Sequence, residues 1–232
     1  MNKKNEVRSS ALSHNLSFEM RAQQQGQQFL LFLAACVTVS YVAADSPLTF
    51  IDFSNGESGT SWVAENDPVM GGVSNGNITI ESDRLAWDGD VKIVPELEAP
   101  GFCLTYTTGL NHFPNASAFS ALTLKVRSII PYTGFKVSFS TALHPSTQFE
   151  MFKADFPSSF PSGSGSWEDV TIPFTNFTYS WSSYTGEPIH TCAEDPKYCP
   201  TQKDLETIRA FDVWAEGVEG LFHLDVQEIG AI

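Results

Sequence analysis

Basic residues are scarce in this chain. Its 232 residues include 13 Lys and Arg against 27 Asp and Glu, which gives a formal net charge of −14 at pH 7. Residues 1–44 hold 4 of the basic and 2 of the acidic residues, so the remainder has 9 against 25, or −16. A domain this acidic, with no cluster of Lys or Arg, repels phosphate backbones and anionic membrane surfaces. The composition therefore excludes nucleic acid as a partner, and it excludes a membrane unless an apolar segment anchors the chain.

Signatures of catalysis are also absent from the sequence. The histidines after residue 44 are His112, His144, His190 and His223. None of them lies in a HExxH or GxSxG motif or in a Cys–His arrangement. Carboxylates are abundant because the chain is acidic, so a pair of them does not by itself indicate a glycosidase. We expect a protein that is not an enzyme and that uses no cofactor and no metal ion.

Long apolar runs are limited to residues 29–44, which are uncharged and mostly hydrophobic. This run is short for a membrane-spanning helix, which needs about 20 residues. It ends in small residues before Asp45, and Lys and Arg residues precede it, as in a secretory signal with a long polar n-region. We expect residues 1–44 to be cleaved after Ala44 and residues 45–232 to form a single lumenal or extracellular domain. An uncleaved signal anchor and a mitochondrial location are the alternatives.

Cysteines are few, and three of the four lie after residue 44. Cys192 and Cys199 enclose a polar loop that contains Pro196, and we expect them to form a disulfide in an oxidising compartment. The spacing of Cys192 and Cys199 does not fit a zinc site. Cys103 lies in an apolar strand pattern that is typical of a buried thiol.

Asn-x-Ser/Thr sequons, which can carry a glycan only on the surface, agree with a secreted domain. They begin at Asn77, Asn115 and Asn176.

After residue 45 the sequence has no long amphipathic helix, and we expect at most one helical turn, around residues 202–207. Apolar and polar residues alternate with period two, as in 122–126, 135–139 and 222–226. Each such segment predicts a strand with one buried and one solvated face. Further strands are expected near 48–53, 76–81, 84–93, 102–107, 147–156, 167–174 and 208–215. With frequent Gly, Asn and Pro turns between them, these segments predict about ten strands and an all-β sandwich or barrel.

One stretch is much more specific than these patterns. Residues 62–74 contain an Asn-Asp-Pro turn, two apolar residues and a pair of glycines, which let the backbone approach another segment closely. The residues that define this motif are Trp62, Asn66, Asp67, Pro68, Val69, Met70, Gly71, Gly72 and Ser74. The motif resembles the signature of the complex I intermediate-associated protein 30 family. Segments at 101–102, 167–177 and 220–229 resemble later strands of that family in the same order, so the resemblance covers most of the chain after residue 50.

This resemblance implies a jelly-roll β-sandwich of the galactose-binding-domain type. It also implies a non-catalytic role as a protein-assembly factor or chaperone-like protein, which is described for mitochondrial complex I in that family. The secretory leader and the expected disulfide depart from a mitochondrial role. Our first hypothesis is a binding domain with a protein client, and the alternative is a carbohydrate-binding module of a secreted or lumenal protein.

Four side chains are candidates for ligand contacts. Tyr179, Trp181 and Tyr184 lie in a Ser-rich loop without a strand pattern. Exposed rings in such a loop stack on sugars or anchor protein partners, and buried ones close the end of the sandwich; both hypotheses stay open. Asp67 either contacts a ligand or Ca²⁺ at the rim or locks the turn before the glycines. The second role is favoured because apolar residues follow it.

Other aromatic and acidic residues are given structural roles. Strand patterns place four tryptophans in the core, namely Trp62, Trp87, Trp167 and Trp214. Asp83, Asp88 and Asp90 could provide oxygen ligands for Ca²⁺, but they lack the spacing of an EF-hand loop. We therefore expect a solvated hairpin there.

Overall fold

The computed structural model describes residues 46–56, 59–67, 71–145 and 151–232. The expected leader lies outside these ranges, as do Pro68, Val69 and Met70 of the motif and part of the strand expected near 147–156. The described residues form two large antiparallel sheets, A and B, and a small two-stranded one, so the predicted all-β sandwich is confirmed. The strands in these ranges are β1 (Leu48–Asp52), β2 (Ser61–Asn66), β3 (Asn75–Ile80), β4 (Leu85–Val91), β5 (Ile93–Val94), β6 (Ala99–Pro100), β7 (Phe102–Thr108), β8 (Ala121–Arg127), β9 (Phe135–Thr141), β10 (Phe152–Asp155), β11 (Trp167–Pro173), β12 (Ile208–Glu216) and β13 (Gly220–Ala231).

Sheet A runs in the order β11-β8-β13-β4-β3. Its central strand, β13, pairs with β8 along one edge and with β4 and then β1 along the other. In the pairing of β13 with β8, the register shifts between Val226 and Glu228. This shift separates the part of β13 that pairs with β4 from the part that pairs with β1. Strands β3 and β4 form the hairpin that was expected around Asp83, Asp88 and Asp90.

Sheet B runs in the order β10-β9-β12-β7-β2. Its central strand, β12, pairs antiparallel with β9 and with β7. A register shift between Ile208 and Ala210 leaves Arg209 as the extra residue of a bulge. A bulge bends its strand and re-aims a side chain. Strands β5 and β6 pair only with each other in the described ranges.

The core lies between the two sheets and is rich in aromatic rings. Phe135 and Phe139 of β9 point into it, as the period-two pattern predicts. Trp62 and Trp87 belong to the same core, as expected. The rings of Trp87 and Phe222 meet edge to face with centroids 4.6 Å apart, a geometry that adds to the gain from burying their apolar area.

Two tryptophans expected in this core lie elsewhere. Trp167 is partly exposed on the outer face of sheet A, where the Arg127 guanidinium carbon is 4.8 Å from its ring centroid. Trp214 is buried, but on the outer face of sheet B in a small cluster with Met151. The prediction for Trp167 is wrong, and the prediction for Trp214 is right about its burial but not about the face of the sheet. The alternate residues of these strands, such as Val213 in β12, fill the space between the sheets.

The polar sides of two strands are not solvated, contrary to the simple alternation rule. The buried residues there are Lys136, Ser138 and Ser140 of β9 and His223 and Asp225 of β13. Asp225 accepts hydrogen bonds from Arg84 Nε at 3.1 Å and from Arg127 Nη2 at 2.6 Å. Such pairing is what allows a carboxylate to be buried on a sheet surface.

Helical structure in the described ranges is confined to short segments. The helix α1 (Gln202–Leu205) lies within the turn predicted around 202–207. It begins with a capping box, in which Thr201 Oγ1 accepts from the backbone N–H of Asp204 and the Asp204 carboxylate accepts from that of Thr201. The segments Phe174–Asn176 and Pro196–Tyr198 are 3₁₀ turns. No helix among the described residues has the length and hydropathy that a membrane crossing requires.

Candidate functional site

In the described part of the family motif, chain segments cross closely and are joined by hydrogen bonds. The buried carboxylate of Asp67 accepts hydrogen bonds from the backbone N–H of Ser74 at 3.0 Å and from the Ser74 hydroxyl at 2.9 Å. The Ser74 hydroxyl accepts another from the backbone N–H of Lys92 at 3.0 Å. A Cβ at Gly72 or Gly101 would overlap atoms of Asp67, so these positions admit only glycine. The contacts of Asp67 are those of the structural role that the sequence favours.

The outer face of sheet B, which is turned away from the core, carries rows of polar and aromatic side chains. Antiparallel pairing aligns these rows across β10, β9, β12 and β7. One row is Lys153, Ser138, Asp212 and Tyr106. The next row is Asp155, Lys136, Trp214 and Leu104. We call Lys136, Ser138, Lys153, Asp212, Trp214 and Glu216 the charged cluster.

Lys153 lies between a carboxylate and two indole rings. Its Nζ atom lies 2.8 Å from Glu216 Oε2, 4.1 Å from the centroid of the Trp214 ring and 5.1 Å from that of Trp181. The ammonium of Lys136 also lies 5.1 Å from the Trp181 ring. Burial lowers the pKa of Lys153, because desolvation penalises its charged form more than the carboxylate of Glu216 favours it.

Asp212 is a buried acid in the same cluster. Its Oδ2 accepts a hydrogen bond from Ser138 Oγ at 2.7 Å, and Ser138 Oγ accepts one from Trp214 Nε1 at 2.8 Å. Burial raises the pKa of Asp212 to about 7, although the hydrogen bond from Ser138 and the charge of Lys153 act in the opposite direction. Asp212 therefore changes charge close to neutral pH.

A cleft of about 520 Å³ opens at the end of this face, where β7 and β9 end and β12 begins. Its lining includes Tyr106, Asn111, His112, Ser140, Thr141 and Arg209. The guanidinium Nη1 of Arg209 lies 2.5 Å from His112 Nδ1. A concave site of this size, with one aromatic ring and several hydrogen-bonding groups, can hold a small polar ligand or one segment of a longer one.

The three loop aromatics have three different environments. Tyr179 packs against the core at the end of the sandwich, with its ring stacked on that of His144 at 5.1 Å between centroids. Trp181 covers the two lysines of the charged cluster, and its Nε1 donates to the carbonyl oxygen of Thr178 at 2.7 Å. Tyr184 is 66% exposed. Of the three, Tyr184 is therefore the one whose ring faces solvent.

The predicted disulfide between Cys192 and Cys199 is confirmed, with the Cα atoms 4.8 Å apart. Within the segment that it closes, the Tyr198 ring contacts that of Tyr179 at 5.4 Å between centroids. The bridge thus stabilises the long loop next to the sandwich. Cys103 is a buried free thiol, and burial raises its pKa to about 12, so it stays protonated and unreactive.

The sequons and the acidic hairpin lie at the surface. Asn77, Asn115 and Asn176 are all exposed, which is the condition that a glycan requires. In the acidic hairpin, Asp83 pairs with Arg84 and Asp90 with Lys92. Within the described ranges, no three His, Cys, Asp or Glu side chains come together in a group that could hold a metal ion.

The charged cluster and the cleft are not among the sites that the sequence predicts. The alternation at 135–139 predicts that Lys136 is solvated, and Asp212 and Tyr106 lie in segments for which only a strand is expected. The available signal was that neighbouring strands each place a polar residue between apolar ones. This signal locates a shared surface only when the order of the strands is known, and strand order is a long-range property that alternation does not encode.

Comparisons with known proteins agree with this architecture. The chain is similar to the family 11 carbohydrate-binding module of the cellulosomal cellulase Lic26A-Cel5E of Clostridium thermocellum, with a TM-score of 0.51 and 13% identity over 80% of this chain and 94% of that one. It is also similar to a family 11 module from Clostridium thermocellum in complex with a β-1,3-1,4-mixed-linked tetrasaccharide, with a TM-score of 0.50 and 15% identity over 80% and 95% of the two chains. At these identities the likeness concerns the fold, the predicted jelly-roll sandwich.

The family is identified by sequence. The comparison with curated proteins finds no match. A family model, described as complex I intermediate-associated protein 30, matches residues 51–194, which is more than half of the chain. This span contains the motif at residues 62–74 and the strands from β2 to β11. The chain belongs to the complex I intermediate-associated protein 30 family.

Proposed function

We propose that this chain is a non-catalytic binding domain and that its ligand occupies the outer face of sheet B. The family and the jelly-roll fold support binding without catalysis. The outer face supports the location, because it combines the charged cluster with a cleft of about 520 Å³. Clefts that join an aromatic ring to a few polar groups are the usual form of a binding site.

The first candidate ligand is a protein client, in keeping with the assembly role implied by the family. The observation that carries this candidate is an apolar rim around the cleft. Leu110, which follows β7, is 99% exposed, and Leu143, which follows β9, is 51% exposed. Val63 of the edge strand β2 is 37% exposed in the same row as Tyr106. Exposed apolar side chains beside polar groups mark protein contacts, and the strong negative charge of the chain favours a client with a basic surface.

Site-specific crosslinking tests the protein client. We expect a photoreactive phenylalanine analogue at position 110 to capture a defined protein in the producing cells. The same analogue at position 80, where Ile80 is 45% exposed on sheet A, is the matched control and should not capture it. The double variant Leu110→Ser and Leu143→Ser should weaken copurification of that protein at least tenfold. Equal capture from both positions, or undiminished copurification, would contradict this candidate.

The second candidate ligand is a glycan, and the observation that favours it is the composition of the cleft. Tyr106 provides an aromatic ring, and the partly exposed Asn111 and Thr108 provide amide and hydroxyl groups of the kind that bind sugar hydroxyls. A structural relative with the same fold is known in complex with a tetrasaccharide. Trp181, in contrast, has its ring over two lysines and its Nε1 hydrogen-bonded to backbone, so we assign it to the scaffold.

Binding to a panel of immobilised glycans tests the second candidate. We expect Tyr106→Ala to abolish binding, because stacking on a sugar ring requires the aromatic face. Tyr184→Ala, which removes an exposed ring outside the cleft, should leave the binding profile unchanged. A profile that is lost with Tyr184 and retained without Tyr106 would reject the cleft as the sugar site.

We further propose that the chain acts in the secretory pathway. The disulfide and the exposure of Asn77, Asn115 and Asn176 support this location. Intact-mass analysis of the protein from its native cells should show a chain that begins at Asp45 and carries glycan on at least one of these asparagines. An unmodified chain that retains residues 1–44 would overturn this proposal.

A further inference from the structure

Among its described lining residues, the cleft at the end of sheet B has no acidic side chain, although the chain after residue 44 has 25 acidic residues against 9 basic ones. Its charged residue is Arg209, and the other titratable groups of the lining are His112 and Tyr106. Two acids lie next to Tyr106 without lining the cleft: Asp212 is its partner in the pairing of β12 with β7, and Glu65 of β2 interacts with its side chain. Asp212 is buried and hydrogen-bonded to Ser138, and it does not line the cleft.

Arg209 lacks a carboxylate partner among the described residues, whereas the other arginines of the described ranges each have one. Arg84 and Arg127 both form ion pairs with the buried Asp225, at 3.1 and 2.6 Å. Arg209 forms no ion pair with any described carboxylate; its described polar contact is with His112 Nδ1. That nitrogen accepts a hydrogen bond from the guanidinium, so the other four N–H donors of the fork remain available for a ligand.

The backbone places this guanidinium at the cleft. Arg209 is the extra residue of the bulge in β12, between Ile208, which is in the core, and Ala210, which lines the cleft. In a regular strand, alternation would direct residues 208 and 210 to the same face. The bulge removes that constraint and re-aims the intervening side chain, a use of bulges that is common next to binding sites.

We propose that this cleft binds the carboxylate of an acidic sugar, a uronic acid within a glycan, with Arg209 as the group that pairs with it. A guanidinium and a carboxylate form two parallel hydrogen bonds, a geometry that selects a planar anion. The ring of Tyr106 contacts the sugar, and the partly exposed Asn111 and Thr108 bind its hydroxyl groups. This inference rests on the second candidate function and names the class of glycan.

The lining favours a sugar over an acidic peptide. Asn111 and Thr108 lie beside Tyr106 in the lining, and their amide and hydroxyl groups match the hydroxyl groups of a sugar ring. One common way for an extended peptide to bind a sheet is to pair its backbone with an edge strand. The edge strands of sheet B are β10 and β2, whereas the cleft lies over the ends of β7, β9 and β12.

Calorimetric titration of the purified chain with a galacturonic acid tetrasaccharide tests the proposal. The matched ligand is the same oligosaccharide with its carboxylates methyl-esterified, which keeps the rings and hydroxyls and removes the charge. We expect the acid to bind at least tenfold more tightly than the ester. Because a hydrogen bond to a charged group contributes about 1.5–3 kcal/mol, Arg209→Gln should weaken binding of the acid about 10- to 100-fold and leave the ester unaffected.

Lys203→Gln is the matched control, since it removes one positive charge from an exposed position on α1 outside the cleft. It should change the affinity less than twofold.

If the ester binds the unsubstituted chain as tightly as the acid, the carboxylate assignment is overturned while the glycan candidate stands. A glutamate-rich peptide or a sulfated oligosaccharide that binds through Arg209, with no binding of the uronate, overturns the assignment of the ligand class. If neither the acid nor the ester binds, the inference is overturned. If the chain also binds none of the immobilised glycans of the panel, the second candidate function is rejected as well.

Discussion

The ammonium of Lys153 lies 4.1 Å from the centroid of the Trp214 indole, on the outer face of sheet B. Both side chains are buried, so the attraction between the cation and the ring acts in a region of low dielectric. The contact does not fully compensate for the hydration that the ammonium loses on burial. Burial therefore still lowers the pKa of Lys153. Glu216 supplies the remaining compensation at 2.8 Å.

We predict that removing one charge of this ion pair costs more stability than removing both. Glu216→Gln leaves a buried ammonium without its counter-ion and should lower the free energy of unfolding by about 2–4 kcal/mol. The double variant Lys153→Met and Glu216→Gln removes both charges, keeps the apolar contact with Trp214 and should stay within about 1 kcal/mol of the unsubstituted protein. Urea denaturation measures both. Glu219→Gln, at an exposed position, is the control and should change little. A larger loss for the double variant than for Glu216→Gln alone would contradict this interpretation.

Asp67→Ala tests the structural role of the family motif. The substitution leaves the backbone N–H and the hydroxyl of Ser74 without their acceptor, and both are buried. We expect a loss of about 1–3 kcal/mol of unfolding free energy and a lower Tm. Asp88→Ala, in the exposed hairpin, should stay within about 0.5 kcal/mol. If ligand binding falls while the Tm of Asp67→Ala is unchanged, Asp67 contacts the ligand instead.

The raised pKa of Asp212 predicts a dependence of stability on pH. The unfolded carboxyl releases its proton near its ordinary value of 3.8, and the folded one near 7. Between these values the folded state binds more protons, so this group's contribution to stability declines as the pH rises from about 4 to about 7. Asp212→Asn, which cannot ionise and still accepts a hydrogen bond from Ser138, should remove this decline. Unfolding free energies at pH 5 and pH 8 check it. An identical pH dependence in the variant would show that Asp212 does not titrate in this range.

The disulfide should stabilise the protein mainly by restricting the unfolded chain. It joins residues separated by 7 positions, and a loop of this length corresponds to about 2–3 kcal/mol. We therefore expect the double variant Cys192→Ser and Cys199→Ser to melt at a lower temperature. A reductant should bring the Tm of the unsubstituted protein down to that of the variant and leave the variant unchanged. Insensitivity of the unsubstituted protein to reductant would contradict a stabilising bridge.

The strands were largely predictable, because alternation depends on neighbouring residues alone. The pattern at 122–126 corresponds to β8 (Ala121–Arg127), and the one at 135–139 corresponds to β9 (Phe135–Thr141). Strand β2 (Ser61–Asn66) was not among the expected strands, since the Asn-Asp-Pro turn that follows it dominates the local pattern. The helical turn at 202–207 was predictable for a local reason too, because its capping box involves residues three positions apart.

The candidate site was much less predictable, because it depends on which strands are neighbours. Alternation separates the two faces of β12 but does not reveal that Asp212 lies beside Ser138 and Tyr106 from other strands. The same limitation explains the wrong placement of Trp214, since a large apolar residue on an outer face looks like a core residue until its neighbours are known. The bulge at Arg209 was also not predictable from the sequence, because a register shift is a relation between two strands.

The pairing of β1 with β13 constrains how a nascent chain can fold. Thr49 and Glu228, which share a hydrogen bond of 2.8 Å, are 179 positions apart in the sequence. The first strand therefore stays without its neighbour until nearly two hundred further residues have left the ribosome. Closing so large a loop is entropically costly and slow, and an unpaired strand edge is exposed to association with other chains meanwhile. The domain thus completes its fold late in synthesis, and a truncation before β13 would leave β1, β4 and β8 without their common partner.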